Sequence, residues 1–282
     1  MGSPAGSRRV AVVTGASRGI GRATAIGLAH AGYDVVVTAR SVTAESQPFA
    51  GTVAGDPVAG AVLAGGLPSL VSEVQSIGVS CAAVAMDLTD RASVAAAADA
   101  MVAAFGRVDV LVNNAIYIGP GINDFVLDTN VDLIDRVVAA DAITPVILYQ
   151  AVLPGMLERG DGAIIHLTSG AATLAPRAPF GQGGWGLAYA IAKGGAHRIA
   201  GVLNAEFGSR GVRAYNLNPG HVVTEVGRAR AAKNGVDATG QSPEIPAAAA
   251  VWLAEANDQT QALAGRDVVA LDVVREHQLD VR

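Results

Sequence analysis

Residues 8–40 read RRVAVVTGASRGIGRATAIGLAHAGYDVVVTAR, in which two apolar runs flank a glycine-rich turn and a segment of helical spacing. The run 8–15 predicts a buried strand that ends in the turn. Residues 19–32 predict a helix, which Gly32 would end. The run 33–40 predicts a second buried strand. A strand, a helix and a strand in this order favour a parallel sheet, because the helix carries the chain back to the starting edge.

The same alternation continues along the chain. Further strands are predicted at 81–88, 108–115, 162–169, 211–219 and 266–272, and helices at 67–77, 91–105, about 130–158, about 187–207 and 245–255. The pattern predicts an α/β protein with a doubly wound parallel sheet in three α/β/α layers, as a single domain over 1–282. Outside these elements we expect a flexible tail (1–8), a loop insertion (41–66), a loop on the substrate side (176–187) and a mobile lid (225–243).

The composition fits a globular protein with a large core, since 51% of its 282 residues are hydrophobic and 16% are charged. The net charge of −5 and the lack of a long basic run argue against nucleic-acid binding. The single cysteine, Cys81, excludes an intrachain disulfide, and the five histidines have no metal-ligand spacing, so we expect no metal. Without an apolar run of about 18 residues or a signal-like opening, we expect a cytoplasmic protein without a membrane span.

The turn TGASRGIG, residues 14–21, joins the first predicted strand to the first predicted helix. Glycines at 15, 19 and 21 would let the backbone turn sharply and approach a pyrophosphate, which would rest on the helix N-terminus. The intervening Ser17, Arg18 and Ile20 would lie along the same loop. Glycines alone are a weak signal, but this placement between a strand and a helix favours a dinucleotide site.

The end of the second predicted strand indicates which dinucleotide is bound. NAD sites usually place an acidic residue there to hold the ribose 2′-hydroxyl. This chain has Ala39 at that point and Arg40 directly after it, while Arg18 lies in the glycine loop. Two guanidinium groups suit a 2′-phosphate, so the sequence favours NADP(H) over NAD. The alternative is that both arginines are ordinary solvated surface residues.

Tyr189 and Lys193 lie four residues apart in LAYAIAKGG, residues 187–195. Residues with this spacing share one face of a helix. A structural alternative is an amphipathic helix with one hydrogen-bonded tyrosine.

Six motifs together resemble the short-chain dehydrogenase/reductase family: TGASRGIG (14–21), DL (87–88), NNA (113–115), Ser169, YAIAK (189–193) and NPGHVVT (218–224). The resemblance covers most of the chain and implies a Rossmann fold. It further implies catalytic roles for Ser169, Tyr189 and Lys193. The cofactor contacts that it implies are Gly15, Ser17, Arg18, Gly19, Ile20, Gly21, Arg40, Asp87, Leu88, Asn114, Ala115, Tyr189, Lys193, Pro219, Gly220, Val222 and Thr224.

These roles explain why one helix face carries a phenol and an ammonium. A tyrosine with the ordinary pKa of about 10 holds its proton too tightly to act as a base near neutral pH. A neighbouring ammonium favours the phenolate. Tyr189 would then exchange a proton with the substrate oxygen, Ser169 would polarise the carbonyl, and Lys193 would also hydrogen-bond the nicotinamide ribose. The expected reaction interconverts a ketone and a secondary alcohol.

The chain departs from the family at three places. Ile116 follows NNA where the family usually has glycine, and would crowd the cofactor or narrow the pocket. Asp141 stands nine residues before Gln150, where the family has an asparagine that helps hold a water linked to the lysine. An aspartate could hold the same water and add a negative charge near Lys193; otherwise it is an ordinary polar helix residue. Ser169 and Tyr189 are twenty residues apart, farther than is typical, because of the loop 176–187.

The two insertions suggest where the substrate lies. The loop 176–187 contains Phe180 and Trp185, and predicts a pocket wall for a largely apolar carbonyl or alcohol substrate, or else a surface or subunit contact. The insertion 41–66 begins beside Arg40, so it would cover the cofactor or take part in assembly. By resemblance we expect a homodimer or homotetramer through the helices at about 130–158 and 187–207.

Four alternatives compete with this interpretation. Ile116 and Asp141 motivate a catalytically silent NADPH-binding protein, although the intact Ser169, Tyr189 and Lys193 argue against it. Within enzymes, NAD use and an epimerase or dehydratase stay open. A hydrolase triad of Asp161, His166 and Ser169 is disfavoured, because 166 and 169 face opposite sides of a strand and no GxSxG motif surrounds the serine.

Overall fold

A computed structural model describes residues 8–44, 46–53 and 55–281 of the chain. Most of the predicted N-terminal tail, residues 1–7, lies outside the described residues. Arg8 is held to the fold by an ion pair with Asp34, at 3.6 Å.

Seven parallel strands form one sheet at the centre of the molecule. They are Val10–Val13 (β1), Asp34–Ala39 (β2), Cys81–Ala85 (β5), Val110–Asn113 (β6), Gly162–Leu167 (β7), Val212–Asn218 (β8) and Asp267–Val269 (β9), in the order β5-β2-β1-β6-β7-β8-β9. The predicted doubly wound α/β fold is therefore confirmed. The order reverses between β1 and β6, and in such sheets ligands bind beyond the carboxyl ends of the strands at that point.

Helices cover both faces of the sheet. They are Gly19–His30 (α1), Leu67–Ser76 (α2), Arg91–Phe105 (α3), Val131–Val138 (α4), Pro145–Arg159 (α5), Leu187–Phe207 (α6), Glu225–Lys233 (α7), Glu244–Ala254 (α8), Asp258–Leu263 (α9) and Ala270–Glu276 (α10). One core cluster joins the sheet to α1, α2, α8 and α10, and a second joins it to α3, α5 and α6. Apolar side chains on both faces explain why the central strands read as continuous apolar runs.

The predicted long helix over 130–158 is interrupted by a π-helical turn, Ala139–Ile143. Pro145 follows this turn, and a proline has no N–H to bond the carbonyl four residues earlier. The backbone instead forms a π-helical hydrogen bond, in which the Thr144 N–H donates to the carbonyl of Ala139, five residues earlier, at 2.8 Å. Val131–Arg159 is also long and apolar enough to cross a membrane by length and composition, but half of its most apolar window is buried, as in the core helix of a globular fold.

Three peripheral predictions need correction. The insertion 41–66 is not only a loop, because Ser46–Pro48 (β3) and Val62–Ala64 (β4) pair as a small antiparallel sheet. The predicted lid 225–243 begins with helix α7. The predicted strand 266–272 is wrong after Val269, where α10 begins. The apolar run at this point fits both strand and helix periods, so periodicity could not separate them.

Candidate active site

The glycine loop between β1 and α1 makes a tight turn. Gly15 has φ +66°, which favours glycine, and a Cβ on Gly21 would lie 2.4 Å from the Gly15 carbonyl oxygen. The Asn114 side-chain amide donates to the carbonyls of Thr14 and Gly15, at 2.9 and 3.1 Å. Asn114 therefore fixes the loop from the end of β6, in addition to the cofactor contact predicted for it.

A cavity of about 660 Å³ lies over this loop at the carboxyl edge of the sheet. Its size suits a ligand larger than a single small metabolite. The predicted cofactor residues on its lining are Gly15, Ser17, Arg18, Gly19, Ile20, Arg40, Asp87, Leu88, Asn114, Ala115 and Thr224. Other predicted residues are not on this lining: Gly21, Ser169, Tyr189, Lys193, Pro219, Gly220 and Val222.

Two groups of cavity residues were not named individually from the sequence, although the insertion 41–66 was expected to cover the cofactor or take part in assembly. One group comes from the insertion: Ala44, Pro48, Phe49, Ala50 and Gly65. The other lies after NNA and on the helices: Tyr117, Ile118, Arg136 and Val226. The start of the insertion directly after Arg40 was the available signal for the first group. Ile116 also lies on the cavity wall, in agreement with the predicted narrowing.

Two cationic side chains, Arg18 and Arg40, line the cavity next to the carboxyl end of β2. Burial lowers the pKa of Arg18, and the charge of Arg40 lowers it further, while Glu225 opposes both effects. The two guanidinium groups therefore repel one another across this end of the cavity. A bound phosphate would relieve this repulsion.

Asp87 and Leu88 form the floor beyond β5. The Asp87 carboxylate accepts hydrogen bonds from the backbone N–H and the hydroxyl of Thr89, at 2.9 and 2.7 Å. Leu88 is buried. Asp87 thus stabilises the turn that shapes this end of the cavity.

Ser169, Tyr189 and Lys193 lie near the carboxyl end of β7. Ser169 follows the strand and its Oγ accepts a hydrogen bond from Ala171 N–H, at 3.2 Å. The Lys193 ammonium is buried and donates to the Leu167 carbonyl, at 2.7 Å. It lies 6.0 Å from the centre of the half-buried Tyr189 ring. Helix α6 thus holds a buried cation beside the phenol, as the i, i+4 spacing predicts.

Asp141 sits in the π-helical turn and is almost fully buried. Its Oδ1 accepts a hydrogen bond from Tyr117 N–H at 2.6 Å, while its buried Oδ2 has no hydrogen-bond partner in the described part of the chain. Burial raises the pKa of Asp141 to about 7, although Lys193 and the Tyr117 N–H act in the opposite direction. Near neutral pH this carboxyl is therefore divided between its neutral and charged forms, so the predicted negative charge beside Lys193 is only partial.

The candidate hydrolase triad does not form. Asp161 pairs with Arg213 at 2.8 Å and with Arg9 at 3.3 Å, before the start of β7. His166 is buried beside Asn113, at 3.0 Å, and burial lowers its pKa to about 3. These three side chains therefore belong to separate clusters, as the strand geometry predicted.

A second, smaller cavity of about 320 Å³ lies between the loop 176–187 and residues 123–126. Its apolar lining includes Phe125, Phe180 and Trp185, together with the polar Asn123 and Arg177. The loop 176–187 therefore forms one side of this cavity, and its predicted role beside the substrate stays a prediction.

Comparison with known proteins identifies the family. The family model for short chain dehydrogenases matches residues 9–53 and 58–235, which is more than half of the chain. The chain therefore belongs to the short-chain dehydrogenase/reductase family, whose members are oxidoreductases that bind a nicotinamide cofactor.

Individual relatives agree with this class. The chain is 35% identical to a D-threitol dehydrogenase of Mycolicibacterium smegmatis, over 93% of this chain and 90% of that protein. It is 28% identical to an L-rhamnose 1-dehydrogenase (NAD(P)(+)) of Sphingomonas sp., over 78% of this chain and 75% of that protein. It resembles the crystal structure of a metagenomic short-chain oxidoreductase in complex with NADP, with a TM-score of 0.69, 29% identity and coverage of 94% and 97%.

Proposed function

We propose that this protein is an NADP(H)-dependent oxidoreductase that interconverts a ketone and a secondary alcohol. The observation that carries the proposal is the buried Lys193 ammonium, 6.0 Å from the centre of the Tyr189 ring on the same helix. Binding a dinucleotide does not require a phenol beside the lysine, whereas a tyrosine that transfers protons is favoured by a neighbouring cation.

The chain's own residues would handle the proton and the oxygen. When bound, a nicotinamide cofactor would supply the hydride to a carbonyl carbon, or accept one from an alcohol carbon. Tyr189 then gives a proton to the substrate oxygen or removes one from it, and Lys193 stabilises the phenolate form. Ser169 holds and polarises the substrate oxygen. The Asp141 carboxyl, with its unbonded Oδ2, takes the place of the family asparagine in holding water near Lys193.

Several features support NADP(H) as the dinucleotide. The glycine loop makes a tight turn that a Cβ on Gly21 would disrupt, and Arg18 and Arg40 line the same cavity with Ala39 in place of an acid. The related structure in complex with NADP points the same way, while the relative named for NAD(P)(+) keeps dual use open.

The wall of the second cavity favours a substrate with an apolar body, because Phe125, Phe180 and Trp185 line it. The names of two relatives favour a second class of substrate, polyols and sugars.

We also propose a cytoplasmic homo-oligomer that associates through α4, α5 and α6. Exposed apolar side chains on or between these helices support that surface: Val131, Ile143, Val146, Ile191 and Val202.

The test is a steady-state assay of the purified protein, following NADPH absorbance with ketones, diketones and quinones. The reverse assay uses NADP⁺ with secondary alcohols, D-threitol and L-rhamnose, and NADH and NAD⁺ run in parallel. We expect turnover with a preference for NADPH or NADP⁺. Tight NADPH binding without turnover of any class would instead support the catalytically silent binding protein, and equal use of NADH would contradict the assignment of the two arginines.

A further inference from the structure

The insertion 41–66 contains a buried carboxylate. The Asp56 side chain is 0% exposed, and it accepts hydrogen bonds from the backbone N–H groups of Thr52 and Val58, at 2.8 and 3.2 Å. Asp56 lies in the stretch 54–57, which separates the two segments that the family model matches. The carboxylate thus lies outside the segments that the family model matches.

The partner of this carboxylate comes from α7, far away in the sequence. Arg230 donates through Nε to one oxygen of Asp56 and through Nη2 to the other, at 3.4 and 2.5 Å. The same Nη2 donates to the Thr52 hydroxyl, at 2.7 Å. A guanidinium fork on both carboxylate oxygens fixes orientation as well as distance. The insertion and α7 are therefore joined by a directional ion pair.

Two aromatic rings flank the Arg230 guanidinium. Its carbon lies 5.8 Å from the ring centre of Phe49 in the insertion, and 5.9 Å from that of Phe180 in the loop 176–187. Both distances are within the range of cation–π attraction. One side chain on α7 therefore contacts the insertion and the substrate-side loop together.

Apolar packing follows the same route. Phe49, Val58 and Leu63 form a small buried cluster, against which Val226 and Ala229 of α7 pack. Phe49 and Val226 are also on the lining of the 660 Å³ cavity. The contacts that surround Arg230 thus lie directly beside the space proposed for the dinucleotide.

We propose that Arg230 is a positioning residue that joins the insertion, α7 and the loop 176–187 into one cover over the dinucleotide cavity. This inference rests on the proposed function of that cavity. Opening the cover for dinucleotide release then requires the Arg230–Asp56 pair to separate or all three segments to move together. A change in the substrate-side loop therefore changes dinucleotide release, although Phe180 does not line the cavity.

The charge state of Asp56 agrees with a pair that persists at neutral pH. Burial alone would raise the pKa of Asp56, but the hydrogen bonds from Arg230, Thr52 and Val58 outweigh it and lower that pKa. The carboxylate therefore stays ionised at neutral pH, and the pair is lost only as the pH falls through this lowered value.

The test compares Arg230→Ala, Arg230→Lys and Phe180→Ala with the wild-type protein. The matched control is Arg228→Ala, on the same helix, where the side chain is 54% exposed and pairs with Glu225. Hydrogen exchange of peptides within 46–64 is measured without dinucleotide. NADPH dissociation is measured by stopped-flow fluorescence with excess NADP⁺ as the chase.

We expect Arg230→Ala to exchange faster across the insertion and to release NADPH at least about tenfold faster, the scale of one lost charge-assisted hydrogen bond. Arg230→Lys, which keeps the charge but not the fork, falls between. Phe180→Ala speeds release about threefold or more, and Arg228→Ala matches the wild type.

Release and exchange of Arg230→Ala within twofold of the wild type would overturn the proposal. If Arg230→Ala exchanges faster throughout the central sheet as well, Phe180→Ala decides, because it leaves the ion pair in place; unchanged release in that variant overturns the coupling. Failure of the wild type to bind NADPH contradicts the proposed function instead. In that case the exchange data still show whether Arg230 holds the insertion.

Discussion

We call the carboxyl edge of the sheet, from Asp87 and Leu88 to Ser169 with Tyr189 and Lys193 on α6, the floor of the site; it is held in a different way from the cover over the cavity. On the floor, backbone groups at the carboxyl ends of the strands fix the functional side chains, as with Lys193 on the Leu167 carbonyl and Asn114 on the glycine loop. In the cover, the segments are joined to one another by side chains, through Arg230, Asp56 and two aromatic rings. The floor is thus tied to the backbone of the sheet, whereas the cover depends on a few side-chain contacts. We infer that the floor sets the chemistry and that the cover sets how long ligands stay.

Tyr189→Phe should have the largest effect, because it removes the proton donor from the floor and leaves the ring. Loss of a general acid–base group typically lowers kcat by 10²- to 10⁴-fold, and we expect a decrease of about that size. NADPH binding, measured by fluorescence titration, should stay within about threefold of the wild type. Tyr33→Phe, at a tyrosine away from the cavity lining, is the control. Substantial remaining turnover in Tyr189→Phe would remove this residue from the mechanism.

Gly21→Ala should weaken dinucleotide binding next most strongly. The new Cβ would lie 2.4 Å from the Gly15 carbonyl oxygen and 2.6 Å from the Asn114 amide nitrogen, so the loop must shift. We expect the Kd for NADPH to rise by about two orders of magnitude, or about 3 kcal/mol. Gly201→Ala is the control, since no described residue has an atom within 4 Å of the added Cβ and a helical Gly→Ala change stabilises by about 0.4–1 kcal/mol. An unchanged Kd would mean that the loop does not hold the pyrophosphate.

Arg40→Ala should alter cofactor choice with little effect on the chemistry of the floor. A hydrogen bond to a charged group contributes about 1.5–3 kcal/mol, so the ratio of kcat/KM for NADPH over NADH should fall by about 10- to 100-fold. The control is Arg91→Ala, at an exposed position that begins α3. If the ratio of kcat/KM for NADPH over NADH does not change, Arg40 does not bind the 2′-phosphate.

Asp141→Asn should have the smallest effect on turnover, and its clearest effect should be on the pH dependence of stability. Because burial raises the pKa of Asp141 to about 7, the folded state favours the protonated acid. The resulting contribution to the free energy of unfolding is fully present below the unfolded pKa of about 3.9 and is lost as the pH rises to about 7. The neutral asparagine avoids the loss, so its stability advantage should grow between pH 4 and pH 8, to at most about 4 kcal/mol.

Thermal unfolding of the wild type and Asp141→Asn at a series of pH values checks this sign. The control is Asp99→Asn, at an exposed position of α3. Its difference in stability from the wild type should not grow between pH 4 and pH 8 as that of Asp141→Asn does. A difference for Asp141→Asn that is flat from pH 4 to pH 8 would mean that the carboxyl does not titrate in this range. A rise in turnover by orders of magnitude would mean that the aspartate impairs the site.

The sequence predicts the floor better than the cover, for a physical reason. The glycine loop and the Tyr189–Lys193 pair are local patterns, so spacing alone reveals them. Asp56 and Arg230 are 174 positions apart, and no periodicity links them. The raised pKa of Asp141 likewise depends on burial by the whole fold. At the other extreme, the run after Val269 is local but fits two periods, so the start of α10 could not be predicted.

The most direct test of the account is one stopped-flow experiment on protein preloaded with NADPH. It measures hydride transfer in a single turnover and NADPH release, for Tyr189→Phe and Arg230→Ala side by side, with a carbonyl substrate that the wild type reduces. We predict that Tyr189→Phe loses hydride transfer and releases NADPH at the normal rate, whereas Arg230→Ala keeps hydride transfer and releases NADPH faster. If the two variants change both rates in the same way, the floor and the cover do not have separate roles, which contradicts this prediction.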